Sequence, residues 1–318
     1  MFIYFLKRLA YIFFILWLIS IIIFSITQIL PGNVAKMIMD QWATPESIQA
    51  LEKKLGLNDP LYTQYLRWAK SIIGGEFGLS LTTDQPIITL ISTPLQRSAT
   101  LAILSFFIVA VSGIFLGILA AVRRNTIFDY GISTFSFFGI SVPEFFWGII
   151  LMLLFSRYFG LFPASGYVSF SESPYQWLSH LILPAATLGF TLLARVFRLT
   201  RSSMLEVLES NYVRVARAKG LPERMVIFKH ALKNALLPTI TVLAMNFGWL
   251  MGGIVVVEEV FAFPGFGRLL LYAIQRRDLP LIQAGMLIVT SIYCIMNLIA
   301  DLLYSYFNPR IRYGAKEK

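Results

Sequence analysis

Uninterrupted apolar runs separated by shorter polar stretches dominate this chain. Residues 9–30, 99–122, 177–194, 235–257 and 281–300 contain no Asp, Glu, Lys or Arg, and residues 130–156 are interrupted only by Glu144. At a rise of about 1.5 Å per residue, each run is long enough to cross a hydrocarbon layer of about 30 Å as a helix. The pattern predicts six spans, with both chain ends on one side of a membrane. The first run follows Lys7 and Arg8 as a secretory leader would, but its 22 residues exceed the apolar stretch of such a leader and no small-residue cleavage site closes it. It reads as a retained anchor.

Periodicity also organises the 68-residue stretch 31–98 between the first two spans. TPESIQALEKKLG offers Thr44 as N-cap, Pro45 in the first turn, Ile48, Leu51 and Leu55 along one face, and Gly56 as a stop. DPLYTQYLRWAKSIIGG repeats the device, with Asp59 as cap, Pro60, then Leu61, Tyr65, Trp68 and Ile72 at helical spacing before Gly74. Two amphipathic helices on the outer membrane face are expected, packed as a cap or touching a ligand.

Composition agrees with the pattern. The chain is 57% hydrophobic and 14% charged, with a mean hydropathy of +0.70, whereas soluble domains are about 25% charged. The net charge of +10 matters less than where the cations lie, because cytoplasmic loops retain Lys and Arg. With both ends inside, segments 1–8, 123–129, 195–234 and 305–318 hold 17 basic residues, and the short outer segments 157–180 and 258–280 hold 4. Both termini are therefore expected in the cytoplasm. No nucleic-acid motif accompanies the charge, so nucleic acid is not an expected partner and membrane lipid is.

The chemistry a catalyst would need is missing from the sequence. PGFGRLLL lacks the lysine of a phosphate-binding loop, and there is no H-E-x-x-H or G-x-S-x-G. His180 and His230 fall on opposite sides of the membrane in this topology, and Cys294 is the only cysteine, so no metal site or disulfide is expected. Carboxylates within spans are costly and mark pathways. Glu258, Glu259 and Asp301 sit at span ends and can reach the interface. Glu144, in SVPEFFWG, stands beside a proline that lets a helix bend and line a cavity, or else lies near the interface or a neighbouring subunit. Gly113 with Gly117, and Gly248 with Gly252, allow close helix approach, within the bundle or at a subunit contact.

One segment is not explained by a spanning bundle alone. NYVRVARAKGLPERMVIFKHALKNA, residues 211–235, carries six Lys and Arg and a single acid, Glu223. It reads as a helix to Lys219, a break at Gly220, and a restart after Pro222. Val215, Ala216 and Leu221 offer an apolar side to a partner, with Arg214, Arg217 and Lys219 around it. Anionic lipid accounts for the charge, but not for a glycine-broken helix in a 40-residue inner stretch.

YVRVARAKG followed by HALKNALLP resembles the cytoplasmic EAA loop of permease subunits of ATP-binding cassette (ABC) importers, in the dipeptide, oligopeptide and nickel permease version. The likeness runs along nearly the whole chain: RLAYIFFILWLISIIIFSITQILPGNVA, LGLNDPLYTQYLRW, GEFGLSL, GISVPEFFWGIIL, VEEVFAFPGFGRLLLYAIQRRDLPLIQAG and DLLYSYFNPRIRYG are each similar to family motifs. The resemblance implies an all-α integral membrane protein of the type I importer permease fold. Residues 1–98 would form the first span and extracytoplasmic loop, and 99–318 a five-span core with its coupling loop at 195–234.

It further implies a homologous second permease, two ATPase subunits that bind ATP and Mg, and an extracytoplasmic solute-binding protein, in a bacterial or archaeal cytoplasmic membrane. This chain would carry no cofactor. Arg214, Val215, Ala216, Arg217, Gly220, Leu221 and Pro222 would belong to the helix that docks on an ATPase. Ser141, Glu144, Phe145 and Trp147, with Asn246 and Glu258 nearer the outer gate, would line the pathway. Arg-Val-Ala here replaces the Glu-Ala-Ala of the general pattern, and Leu232-Lys233 replaces Leu-Pro, both as in peptide-type permeases. Peptide, nickel or a metal chelate are the cargoes implied. The alternatives are an ion-coupled secondary transporter, which would work alone, and a membrane-anchored assembly or signalling protein.

The topology predicts that a cysteine placed at Arg217, in a Cys294→Ser background, reacts with an impermeant maleimide from the cytoplasmic side only. Labelling from outside intact cells would invert the orientation.

Overall fold

The structure is a computed structural model and describes residues 2–29, 44–46, 49, 52–53 and 58–307. Every named element among these residues is a helix. In chain order they are α1 (Phe2–Ile29), α2 (Leu61–Ile73), α3 (Ile87–Val122), α4 (Ile127–Ser141), α5 (Glu144–Leu151), α6 (Pro174–Leu208), α7 (Asn211–Ala218), α8 (Leu232–Val260), α9 (Phe266–Arg276) and α10 (Leu279–Phe307). A π-helical stretch, Met152–Tyr158, extends α5, and Glu223–Met225 with the π-helical Val226–Ala231 leads into α8.

Among the described residues four helices are long and apolar enough to span, at Phe5–Gln28, Ile87–Val122, Pro174–Leu208 and Leu279–Leu302. The fifth expected run, 235–257, lies inside the 29 residues of α8. The run 130–156, expected as one span, is instead interrupted: α4 and the helix from Glu144 to Tyr158 are bent by 118° at the break, the geometry of a broken span or a re-entrant loop. Pro143 has no N–H to continue the ladder and cannot follow a helical residue comfortably, so α4 stops at Ser141 and Val142 turns extended.

α6 runs 14 residues beyond the expected end of its span at 194, into what was expected to be loop. Charge begins at Arg195, but the helical period does not stop there: Val196, Phe197, Thr200, Ser203 and Met204 remain buried at spacings of one to four residues. A helix ends where its buried stripe ends, not where lipid does.

The chain divides into two compact units. One comprises Arg97–Pro264 and the chain from Ile295. Its core joins Leu101, Leu181, Leu188, Leu192, Leu250, Phe261 and Phe263, all essentially inaccessible. Within it Gly113 and Gly117 meet α6 so closely that a Cβ on Gly117 would lie 2.6 Å from Thr200 Cβ and 2.9 Å from the Phe197 carbonyl oxygen. The first small-residue pair thus packs within the bundle, the first of the two alternatives its spacing allows. Gly252 of the second pair does not, since a Cβ there would meet nothing within 4 Å.

The other unit comprises Phe2–Gln96 and Gly265–Cys294, with Ile87, Ile91, Phe266, Leu270, Ala273, Leu281 and Ala284 as its core. The second outer helix forms as expected, as α2, and lays Tyr65 and Trp68 against Phe24 of α1. Asp59 is not its cap. Pro60 takes that position, and its carbonyl accepts the N–H groups of Thr63 and Gln64. Asp59 pairs instead with Arg67 at 2.5 Å. Of the first outer helix, Thr44 and a helical Pro45 are described, whereas Ile48, Leu51, Leu55 and Gly56 lie outside the described residues.

Gly117→Ala should destabilise the solubilised protein by about 1–3 kcal/mol, the usual range for overpacking. Gly252→Ala should have a much smaller effect. Thermal unfolding of both variants checks the contrast.

Candidate functional site

The basic segment folds as an elbow between two membrane helices. α6 ends at Leu208, and α7 follows after Glu209 and Ser210. Val213 and Ala216, three residues apart, are the buried positions of α7. They pack with Met204 and Ala121 and with Val226, Ile227, Ala231 and Ala235 beyond the turn. Eight residues make a helix too short to persist alone, so this apolar face holds it.

The turn itself needs a glycine. Gly220 adopts φ +75°, and its N–H bonds to the Arg217 carbonyl at 2.9 Å. L side chains avoid this left-handed region, so another residue here would be strained. Pro222 then fixes the exit and serves as N-cap of Glu223–Met225.

Arg217 fastens the two arms. Its Nη2 and Nε donate to the Glu223 carboxylate at 2.6 and 3.1 Å, and its Nη1 to the Leu208 carbonyl at 3.4 Å. The hydrogen bond from Arg217 holds the Glu223 carboxyl below its usual range, against the cost of burial. A lowered carboxyl pKa means the bond contributes fully above the ordinary carboxylate range and is lost as pH falls through the folded value. Both side chains are about half exposed, so the contribution is small and salt-sensitive.

The outward face differs from the sequence expectation. Ala216 is 5% exposed and Leu221 is half-buried against the same cluster. Neither is presented outward, because the elbow needs them for its own core. Val215 is 52% exposed, and Arg214, Lys219 and Pro222 are exposed beside it. Tyr212 joins this face, its hydroxyl accepting from Asn234 Nδ2 at 2.9 Å. No spacing rule singles Tyr212 out.

A second constellation surrounds the break between α4 and α5. Ser141, exposed, donates to the Phe137 carbonyl at 2.9 Å. Glu144 and Phe145 open α5, and Trp147 stacks on Phe190 with ring centroids 4.3 Å apart. The Glu144 carboxylate lies against α8 at Gly253, where a Cβ would come within 2.6 Å of Oε2.

Asn246 and Glu258 lie on the same α8, about 10 and 7 Å along its axis on either side of Gly253 by helical rise. Asn246 donates to its own helix at Val242. Glu258, expected to reach the interface, is instead completely buried and accepts a hydrogen bond from Ser98, the twelfth residue of α3. Nothing near it in sequence announces Ser98, 160 residues away.

Two more buried carboxylates escape the sequence reading. Asp129 of α4 takes both Nε and Nη2 of Arg201 on α6, at 2.5 and 2.7 Å. Asp278, in the other unit, accepts from the Ser80 and Thr82 hydroxyls at 2.5 and 2.8 Å and from three backbone N–H groups. One of those donors, Leu281, makes Asp278 a cap of α10, which its place before Leu279 and Pro280 could have signalled.

The sequence matches two family descriptions, "Binding-protein-dependent transport system inner membrane component" over residues 113–313 and its N-terminal counterpart over residues 1–95. A probable peptide ABC transporter permease protein of Sinorhizobium fredii is 39% identical over 98% of this chain and 99% of its own length. A dipeptide transport system permease protein of Alkalihalophilus pseudofirmus and a glutathione transport system permease protein of Escherichia coli are each 38% identical, with the same coverages. Among solved structures, an amino acid ABC transporter with histidines superposes with a TM-score of 0.50 at 17% identity, covering 70% of this chain and 94% of that one. That likeness concerns the fold.

Glu223→Gln should speed amide exchange at Lys219 and Gly220 relative to wild type near neutral pH. The difference should shrink as acidification protonates the wild-type Glu223, and hydrogen exchange at matched pH measures it.

Proposed function

This chain belongs to the binding-protein-dependent transport system inner membrane components, and from that premise we propose how it works as the permease subunit of an ABC importer for peptides. It is a multi-pass, non-catalytic membrane protein whose family operates with other ABC components. In our reading it forms half of a translocation pathway, facing a homologous second permease. Two ATPase subunits meet the pair from the cytoplasm, a binding protein delivers cargo from outside, and both termini are cytoplasmic. The peptide, dipeptide and glutathione relatives support a peptide cargo.

The observation that carries this reading is the elbow. α7 is anchored inward by Val213 and Ala216, held by Arg217 and Glu223, and turned at Gly220. Tyr212, Arg214, Val215 and Lys219 stay exposed. A lever of this kind transmits force because its inner face is fixed while its outer face is free for a partner. ATP-driven closure of the ATPases would draw the two elbows together and tip the permease pair from inward-open to outward-open. Each state would then be selected by differential contact with its partners. Ser141, Glu144, Phe145 and Trp147 would line the pathway at the break, with Asn246 and Glu258 as supports along α8.

Vesicles holding this chain with its companions should take up peptide only when ATP and loaded binding protein are both supplied. Gly220→Trp should insert normally yet abolish uptake while ATP is still hydrolysed. Uphill transport by this chain alone, or full uptake by Gly220→Trp, would overturn the reading.

A further inference from the structure

The fully buried carboxylates among the described residues all have donors, and the half-buried Glu144 does not. Asp129 has Arg201, Asp278 has hydroxyls and backbone N–H groups, and Glu258 has Ser98. Glu144 makes no hydrogen bond or salt bridge with any described residue, although it is only partly exposed. Arg195 of α6 is the cation whose charge acts on it.

Its position is built, not incidental. Pro143 ends one half-span and starts the next, so Glu144 occupies the first turn of α5, where the helix dipole favours an anion. α5 packs against both α6 and α8, and the carboxylate rests where Gly253 and Leu188 meet. Only a glycine at 253 leaves that room. One turn along α5, the Trp147 indole N–H is buried and has no acceptor among the described residues. Such groups are rare in proteins and call for an explanation. An unmatched acceptor and an unmatched donor therefore lie three residues apart on one helix at the centre of a broken span.

We propose that Glu144 is the counter-charge for a protonated amine of the cargo, the terminal ammonium of a peptide, as it passes the Pro143 break. This deepens the importer reading above and rests on it. An ammonium supplies the donors the carboxylate lacks, and such charge-assisted bonds are strong where water is scarce. The adjoining peptide carbonyl is an acceptor of the type to which the Trp147 N–H would donate. Broken helices in other transporters similarly place ionisable groups and freed backbone at the substrate. The exposed Phe145 and Phe146 beside Glu144 offer ring faces, which tolerate a cation.

The test uses vesicles carrying the complete complex and two probes, dialanine and N-acetyl-dialanine, each at concentrations that saturate the binding protein. Wild type should prefer the free amine. Glu144→Gln should lower dialanine uptake about tenfold, the scale of one lost charge-assisted hydrogen bond, and bring the ratio of the two probes near one. Glu144→Asp should keep the preference.

Should Glu144→Gln fail to assemble, Gly253→Ala decides, because its methyl displaces the same carboxylate and should erode the same preference. Wild-type vesicles that move both probes equally or neither, or a Glu144→Gln complex that keeps the wild-type ratio, overturn the assignment. Dialanine uptake without ATP or binding protein would overturn the importer reading instead.

Discussion

A backbone surrounded by hydrocarbon must satisfy its own N–H and C=O groups, and this requirement governs where the chain can be irregular. Over most of its length the answer is long helices: 36 residues in α3, 35 in α6, 29 in α8. Interruptions are tolerated only where protein or water replaces the lost bonds. Two interruptions matter most, at Pro143 and at Gly220, and they coincide with the two candidate sites. One lies within a span, packed between α6 and α8. The other lies in the elbow between α6 and α8.

The same requirement explains the treatment of charge. An ionised side chain within a low-dielectric bundle is costly unless it is paired or well hydrogen-bonded. Asp129 meets this with a two-point grip on Arg201, which also ties the start of α4 to α6. Asp278 meets it with neutral donors, spending one of them on capping α10 and the others on fixing the 80–82 loop. Glu258 meets it through Ser98 and joins the end of α8 to the body of α3. These three behave as fasteners. Glu144, placed against a glycine and given no donor, does not fit that pattern, and a group that fastens nothing is available for something that moves.

Much of this was legible in the sequence because apolar periodicity and breakers act locally. The runs, the α2 helix, the Gly220 break and the inner basic cluster all follow from residues within a turn or two of one another. What escaped depends on partners far away in sequence. Ser80 and Asp278 are 198 residues apart, and Ser98 and Glu258 are 160, so no window reads them together. The inward turn of Ala216 is a subtler case. Its spacing from Val213 was visible, but two apolar residues on a short helix can face a partner or the parent bundle. Only Met204, Val226 and Ala231 decide between them. The continuation of α6 past Arg195 was missed for the opposite reason. Charge was read as an end, when only the loss of a buried stripe ends a helix.

The elbow and the break are joined by α8. Its lead-in shares a core with α7 through Val226, Ile227, Ala231 and Ala235, so displacement of α7 cannot leave the start of α8 untouched. Further up, Thr239 and Thr200 hydroxyls, both inaccessible, meet at 3.1 Å and couple α8 to α6. Higher still, Gly253 of the same helix faces the Glu144 carboxylate. A helix is stiff along its axis, and close packing transmits displacement instead of absorbing it. Pro238 lies within α8 between elbow and break, and proline weakens a helix against bending without severing it. In the importer reading proposed above, force on the elbow would reach the Gly253 contact as a bend or rotation about that proline, altering the space beside Glu144. One continuous element thus runs from the core it shares with the elbow to the Gly253 contact with Glu144.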